Sequence, residues 1–260
     1  NSVFKKEILL YQRRHSNLAY TETNSSQFIN EIEAYRQAQG ELIKFVNHRT
    51  LLTPGSLQKL LDFADKNLHR KPVVYFSNGV LPMSRTVHAF GSFDHFVRNL
   101  SFWSSWSTGM AVWKSDLEPL LQENHSFNEL FPHTDILFHQ RKRELYLIDN
   151  SVIFEELPQG NHPKGHYDLF HAFGVEYPWI LCSLLKDGSI SSDTFRAVKE
   201  DNLDFVAKLW YRYCFRGEYC SYDLTGLPDM YGIFYGPWDL KRKMIRRAFQ
   251  KLIRKLSERN

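Results

Sequence analysis

The sequence predicts an α/β chain: a mixed sheet with flanking helices and a helical C-terminal region. Three observations carry this expectation. Segments of helical and strand period follow one another as helix, strand, turn, helix, strand within about 50 residues, the rhythm of an α/β layer. From residue 180 onward the recurring pattern is helical. Across 260 residues, 43% are hydrophobic and 15% aromatic, enough to fill a sizeable core and too much for a disordered chain. No apolar run approaches the ~20 residues that a membrane-spanning helix needs, which excludes that class.

Taken in order, residues 1–24 read as polar and irregular apart from Ile8-Leu9-Leu10-Tyr11. No apolar stretch follows a basic start, so a secretory leader is not indicated. Residues 25–39 predict a helix, with Ser26 as candidate N-cap, Phe28, Ile29, Ile32 and Tyr35 as its apolar face and Gly40 as its end. Residues 41–46 (ELIKFV) predict a strand, 48–54 a turn, and 56–67 a helix through Leu57, Leu60, Leu61 and Ala64. A second strand, 73–77, ends at the Asn78-Gly79 turn signal. The segment 90–138 is too aromatic for a solvated loop. Within it and beyond, 110–113 (MAVW) and 145–148 (LYLI) predict a strand pair, and 131–141 a helix. Residues 180–185 and 192–214 complete the helical part. No internal repeat appears, which argues against a solenoid.

The formal net charge of +4 is unevenly placed. Residues 239–260 hold nine Lys/Arg against Asp239 and Glu258, a net +7, and the other 238 residues carry −3. Met244, Ile245, Ala248, Phe249, Leu252, Ile253 and Leu256 recur in pairs every four residues, so this tail predicts a basic amphipathic helix. Its stripe either docks on the domain or lies on an anionic membrane surface. Nucleic acid is not an expected partner, because nothing outside the tail offers a basic groove with stacking aromatics. Three cysteines, Cys182, Cys214 and Cys220, lack CxxC spacing. Neither a disulfide framework nor a zinc ribbon is indicated, and a reducing compartment is expected.

Four blocks carry a resemblance. They are 40–47 (GELIKFVN) leading into 51–57 (LLTPGSL), 103–114 (WSSWSTGMAVWK), 131–138 (FPHTDILF) and 164–170 (KGHYDLF). Their order and spacing resemble bacterial family 2 glycosyltransferases of the GT-A fold, in the subgroup acting on surface polysaccharides such as capsule and lipopolysaccharide. The resemblance spans residues 40–201. It implies sugar transfer with inversion from a nucleotide-sugar donor to a glycan or lipid-linked acceptor, at the inner face of the cytoplasmic membrane. It also implies a catalytic core over 1–178, a helical extension over 179–238 and the basic helix over 239–260.

Such a reaction needs a base for the acceptor proton, positive charge for the departing diphosphate, and groups that orient two sugars. Asp135, just inside the predicted helix after Phe131-Pro132, matches the family's catalytic carboxylate; its bland alternative is an ordinary first-turn acid favoured by the helix dipole. His133 is a candidate to orient it or to contact phosphate. The family's Asp-x-Asp metal motif is replaced by Asn47-His48-Arg49-Thr50. Asn47 and His48, with His166, are the candidate ligands for Mn²⁺ or Mg²⁺, although imidazole suits Mg²⁺ poorly. Arg49 is the alternative, clamping phosphate in place of a metal. Lys164 and His166 are candidate phosphate contacts. Trp106 and Tyr167 are candidate sugar-stacking faces, with Ser107 and Thr108 beside them for hydroxyls, and Trp113 as a further aromatic. The family's opening strand and its nucleotide-binding "DN" strand, roughly 80 residues, have no counterpart here. The expectation is therefore an incomplete enzyme, or else a non-catalytic glycan-binding or scaffold module derived from one.

Overall fold

The computed structural model describes residues 2–25, 27–122, 125–157 and 166–257. In chain order the elements are α1 (Ser2–Arg14), α2 (Asn30–Gln37), β1 (Leu42–Lys44), β2 (Thr50–Leu52), α3 (Ser56–Asn67), β3 (Val73–Phe76), β4 (Val87–Phe90) and α4 (Phe93–Leu100). There follow β5 (Ala111–Trp113), α5 (Lys114–Gln122), α6 (Pro132–His139), β6 (Tyr146–Asp149), β7 (Phe154–Glu156), the short α7 (Leu169–His171), α8 (Tyr177–Lys186), α9 (Ser192–Trp210) and α10 (Pro237–Ser257). Two π-helical turns interrupt the last third, Ala172–Glu176 between α7 and α8 and Tyr211–Phe215 after α9.

β3 pairs parallel with β6, and β6 pairs antiparallel with β4. β1 pairs antiparallel with β5, and a bridge between Tyr75 and Met110 joins that pair to β3. The strands thus form a three-stranded mixed sheet in the order β3, β6, β4, with the antiparallel pair β1–β5 beside β3. β3 is buried along its whole length, as a central parallel strand must be, whereas β4 at the edge alternates between exposed and half-buried. Side chains sort by period two. Val73 and Tyr75 of β3, with Tyr146 and Ile148 of β6, enter the core that α4, α8 and α9 cover. Val74, Phe76 and Leu147 face the opposite side, with Leu60 of α3. A third cluster packs α2, α5 and α6 against Ile43 and Val112.

Three expectations need correction. The strands at 110–113 and 145–148 exist, but they do not pair with each other: β5 lies against β1, and β6 between β3 and β4. Both are short continuous apolar runs, which demand neighbours without specifying which. The turn expected over 48–54 contains β2, whose antiparallel partner β7 lies a hundred residues away. Residues 2–14, expected to be irregular, form α1, whose Val3, Phe4, Leu10 and Tyr11 side chains are exposed. Ser26, the expected N-cap, lies outside the described residues.

The Asn78-Gly79 signal marks a real turn, with both residues at positive φ. It also does more than reverse the chain. Asn78 Oδ1 accepts from the backbone N–H of Ile153 and Phe154, both at 2.8 Å, and its Nδ2 donates to the Phe154 carbonyl at 3.1 Å. One side chain thereby fixes the end of β3 to the start of β7.

The main core runs across residue 178 without a break. It joins Val73 of β3 and Phe96 of α4 to Leu181 of α8, Val198 of α9 and Leu240 of α10, so the segments expected as separate regions share one interior. Within it, Asn202 of α9 is fully buried. Its Nδ2 donates to the Phe173 carbonyl at 2.6 Å and to the Tyr235 hydroxyl at 2.9 Å, and Tyr235 donates onward to the Lys199 carbonyl at 3.0 Å. This binds the first π-turn and the 231–236 loop to one helix. Gly174 in that π-turn has no room for a side chain, since a Cβ there would sit 2.5 Å from Met230 Cβ.

Candidate functional site

Asp135 lies in the first turn of α6, and its side chain is 28% exposed. Pro132 at the start of the helix needs no amide partner there. Asn128 organises the approach: its Oδ1 accepts from the N–H of Leu130 (3.0 Å) and of Phe131 (2.9 Å), turning the chain into α6. The backbone N–H of Asn128 donates to Asp135 Oδ2 at 3.3 Å, and His125 Nε2 lies 3.1 Å from the same oxygen. With the carboxylate ionised, His125 is the donor. Both contacts fall on Oδ2, which fixes the carboxylate and turns Oδ1 to the other side.

A second carboxylate joins through the same asparagine. Asn128 Nδ2 donates to Glu176 Oε2 at 3.3 Å, and Glu176 Oε1 lies 3.3 Å from His171 Nε2. Glu176 is 32% exposed and ends the π-turn that precedes α8. π-turns recur at functional sites because the widened turn displaces one side chain from the helical register. Pro178 follows and has no N–H to donate, in keeping with the broken register. His125, Asp135, Asn128, Glu176 and His171 thus form a continuous polar chain at a partly open surface. Two carboxylates and two imidazoles there can accept, hold or pass a proton.

A second group gathers beyond α7. Asp168 caps that helix, accepting from the His171 N–H at 2.8 Å, and so ties His171 to the residue that follows Tyr167. Tyr167 packs edge-on against Phe28 (5.4 Å) and tilted against Tyr222 (5.1 Å), with its hydroxyl hydrogen-bonded to that of Tyr222. Burial pushes both phenols up, and the Arg49 charge close by pulls Tyr222 back part of the way. Tyr167 thus packs directly on Tyr222, which in turn feels the Arg49 charge.

The other expected site residues fall into two sets. His133 is 3% exposed and belongs to the interior: its Nε2 donates to the Ser105 carbonyl at 2.9 Å, and its Nδ1 lies 3.3 Å from Glu31 Oε2 of α2. As placed, it joins α2 to α6 and cannot reach a phosphate in solvent. Thr108 and Trp113 are fully enclosed and Ser107 is buried, so none of the three offers itself to a sugar. Burial follows from Gly109, where a Cβ would collide with the Tyr75 ring, and from Tyr75 itself, whose hydroxyl lies between the carbonyls of Trp103 and Trp106 and donates to them. Trp106 is half-buried, its ring 6.4 Å edge-on from Trp103. Lys164 lies outside the described residues.

The expected metal ligands do not fit a metal as arranged. Asn47 Oδ1 accepts from the Arg49 N–H at 3.0 Å, an Asx turn within the loop. His48 Nε2 accepts from Arg49 Nε at 3.2 Å, which occupies the lone pair a metal would need and sets a guanidinium beside it. His166 is exposed. Among the described residues, no group of three or more His, Cys, Asp or Glu side chains is placed to hold a metal ion.

Lys44, which sequence reasoning missed, is also set apart. Its Nζ donates to the carbonyls of Phe45 (2.9 Å), Thr108 and Met110 (3.1 Å), and lies 4.8 Å from the centre of the Phe154 ring. Burial holds its pKa well below 10.5. No periodicity announces such a residue, because a lysine on an edge strand ordinarily points to water.

In class, the chain is a mixed α/β protein. Among known proteins, no family model matches it, and no curated protein matches it in sequence. Among the described residues, no helix is long and apolar enough to cross a membrane.

Proposed function

We propose that the chain is an inverting glycosyltransferase with a GT-A-like core, moving a sugar from a nucleotide-sugar donor to a hydroxyl of a glycan or lipid-linked acceptor. The observation that carries this reading is the Asp135 carboxylate, partly open to solvent and held through one oxygen by His125 and the Asn128 amide. In the reaction the acceptor oxygen attacks the anomeric carbon from the face opposite the diphosphate. Asp135 takes the hydroxyl proton, the glycosyl–phosphate bond breaks, and the nucleoside diphosphate leaves with the bonding electrons. Inversion follows from the direction of attack. Arg49 is the cation for the departing phosphate, and Trp106 and Tyr167 are the aromatic faces for the sugars.

A non-catalytic glycan-binding module is the second reading. It is favoured by the turn at 47–50, in which Asn47 Oδ1 and His48 Nε2 both accept from Arg49 and which contains no carboxylate. Two measurements separate the readings. The first is thermal shift with UDP-, GDP- and CMP-sugars, and the second is nucleotide release by Asp135→Asn and Glu176→Gln. A catalytic base contributes on the order of 10² to 10⁴ in rate. Asp135→Asn should lose that factor with little change in melting temperature, while Glu176→Gln should lose less. Undiminished turnover in Asp135→Asn would remove Asp135 from the chemistry. A shift with glycans and none with any nucleotide sugar would establish the binding module.

A further inference from the structure

Among the described side chains of α10, those that meet the body lie along one side. Leu240 is buried in the main core and Met244 packs against that core. Lys243 is buried between Glu200 (2.5 Å) and Asp204 (3.0 Å) of α9, and Arg247 donates to the Asp204 carbonyl at 3.0 Å. At 3.6 residues per turn these four positions span an arc of roughly 100°. The docking side of the helix is therefore half charged, with its lysine paired to two carboxylates.

The opposite side carries exposed apolar residues between cations. Trp238 and Ile245, seven residues apart, are 76% and 58% exposed. The positions of Phe249, Leu252 and Leu256 continue the same line along the helix. Of the described apolar residues here, Trp238 and Ile245 are directed away from the domain, whereas Met244 packs on it. Close to its start lie two further exposed apolar side chains. Ile233, 58% exposed, sits in the 231–235 turn that leads into α10, and Trp179 of α8, 59% exposed, packs edge-on 6.2 Å from Phe234 of that turn. Lys241 stands 4.8 Å over the Trp238 ring, beside Arg242 and Arg246.

We infer that this face lies flat on an anionic lipid bilayer, with Trp238, Ile233 and Ile245 in the headgroup boundary and the flanking cations on lipid phosphates. The charge selects this occupant. An apolar stripe set in a net +7 segment needs a partner both apolar and anionic, which an anionic bilayer surface supplies along its whole extent. A second copy of the chain would oppose one +7 helix to another. Exposed tryptophans at the end of such a stripe suit the interface, where the ring meets acyl chains and the indole N–H meets water. This inference is independent of the sugar chemistry proposed above.

The test is flotation of the full chain with vesicles of phosphatidylcholine alone and of phosphatidylcholine mixed with phosphatidylglycerol. Three proteins are compared: wild type, Trp238→Ala/Ile245→Ser, and Lys241→Glu/Arg242→Glu. All four substituted side chains face outward, and unchanged far-ultraviolet circular dichroism and melting temperature would show that both variants are folded. Wild type should float with the anionic vesicles only, and less as salt is raised. Each variant should bind at least about tenfold more weakly. Equal binding by Trp238→Ala/Ile245→Ser, equal binding to neutral vesicles, or no vesicle binding with helix-dependent dimerisation in sedimentation velocity would each overturn the inference.

Discussion

Asn202→Ala tests whether the first π-turn is held by α9. The side chain is fully buried and gives both Nδ2 hydrogens away, to the Phe173 carbonyl at 2.6 Å and the Tyr235 hydroxyl at 2.9 Å. Each buried acceptor that loses its donor costs about 1–3 kcal/mol. Against this, Asn202 Oδ1 is itself buried with no hydrogen-bond partner among the described residues, so truncation relieves a penalty of the same size. Two losses and one relief leave a destabilisation of about 2 kcal/mol, to which the small cavity adds. For a chain of this size that lowers the melting temperature by about 4–8 °C. Urea unfolding followed by circular dichroism gives the free energy directly. Asn202→Leu, close in size, isolates the hydrogen bonds from the cavity and should cost nearly as much. Tyr235→Phe should cost about 1 kcal/mol, and the double variant should fall short of the sum because the two side chains share one bond. A loss below about 0.5 kcal/mol in Asn202→Ala would refute the argument that Phe173 and Tyr235 depend on this donor.

Lys44 should make stability rise with pH in the alkaline range. Burial lowers its pKa in the folded chain, so between that value and the unfolded 10.5 the unfolded chain binds more protons, and the folded state gains as pH rises. The stability of wild type relative to Lys44→Met should therefore increase through this window, and urea midpoints at a series of pH values that keep a constant difference would refute it. Gly174→Ala should destabilise by about 1–3 kcal/mol, since the new Cβ meets Met230 Cβ at 2.5 Å. Met230→Ala keeps that Cβ and should not rescue it, whereas Met230→Gly should. Rescue by both would place the conflict in the outer Met230 side chain.

Much of the fold was legible because local pattern and burial agree. The 56–67 helix follows from Leu57, Leu60 and Leu61 at helical spacing, and only Leu60 of these is buried, so the amphipathic pattern sufficed without a deep face. Strand 73–76 was legible from its apolar run. What could not be read was partnership. MAVW and LYLI are both buried strands, yet their neighbours are fixed by tertiary contacts: Tyr75 with Met110 across the layer, and Asn78 fastening the turn to β7. Neither contact has a local signature. β2 was hidden inside an apparent turn because three residues paired with a distant strand leave no period to detect.

The site shows the same division between local chemistry and long-range placement. Asp135 stood out because Phe-Pro followed by a first-turn acid is a local pattern. Glu176 and His171 did not, because they reach the site through a π-turn, and a displaced helical register erases the period by which a face is recognised. His133 illustrates the opposite error. Two residues from Asp135, it was grouped with it by proximity in sequence, but residues two apart on a helix point to different sides. α6 makes use of that: Asp135 looks outward to His125 and Asn128, while His133 turns inward to Glu31 and Ser105. The His133 bond to the Ser105 carbonyl and the packing of Ile136 with Ile32 and Tyr35 anchor α6, and an anchored helix is what holds a partly exposed carboxylate in one orientation. On this argument His133 matters to the site as a positioning residue. Substituting it should loosen Asp135 and reduce turnover together with stability, whereas Asp135→Asn should reduce turnover alone.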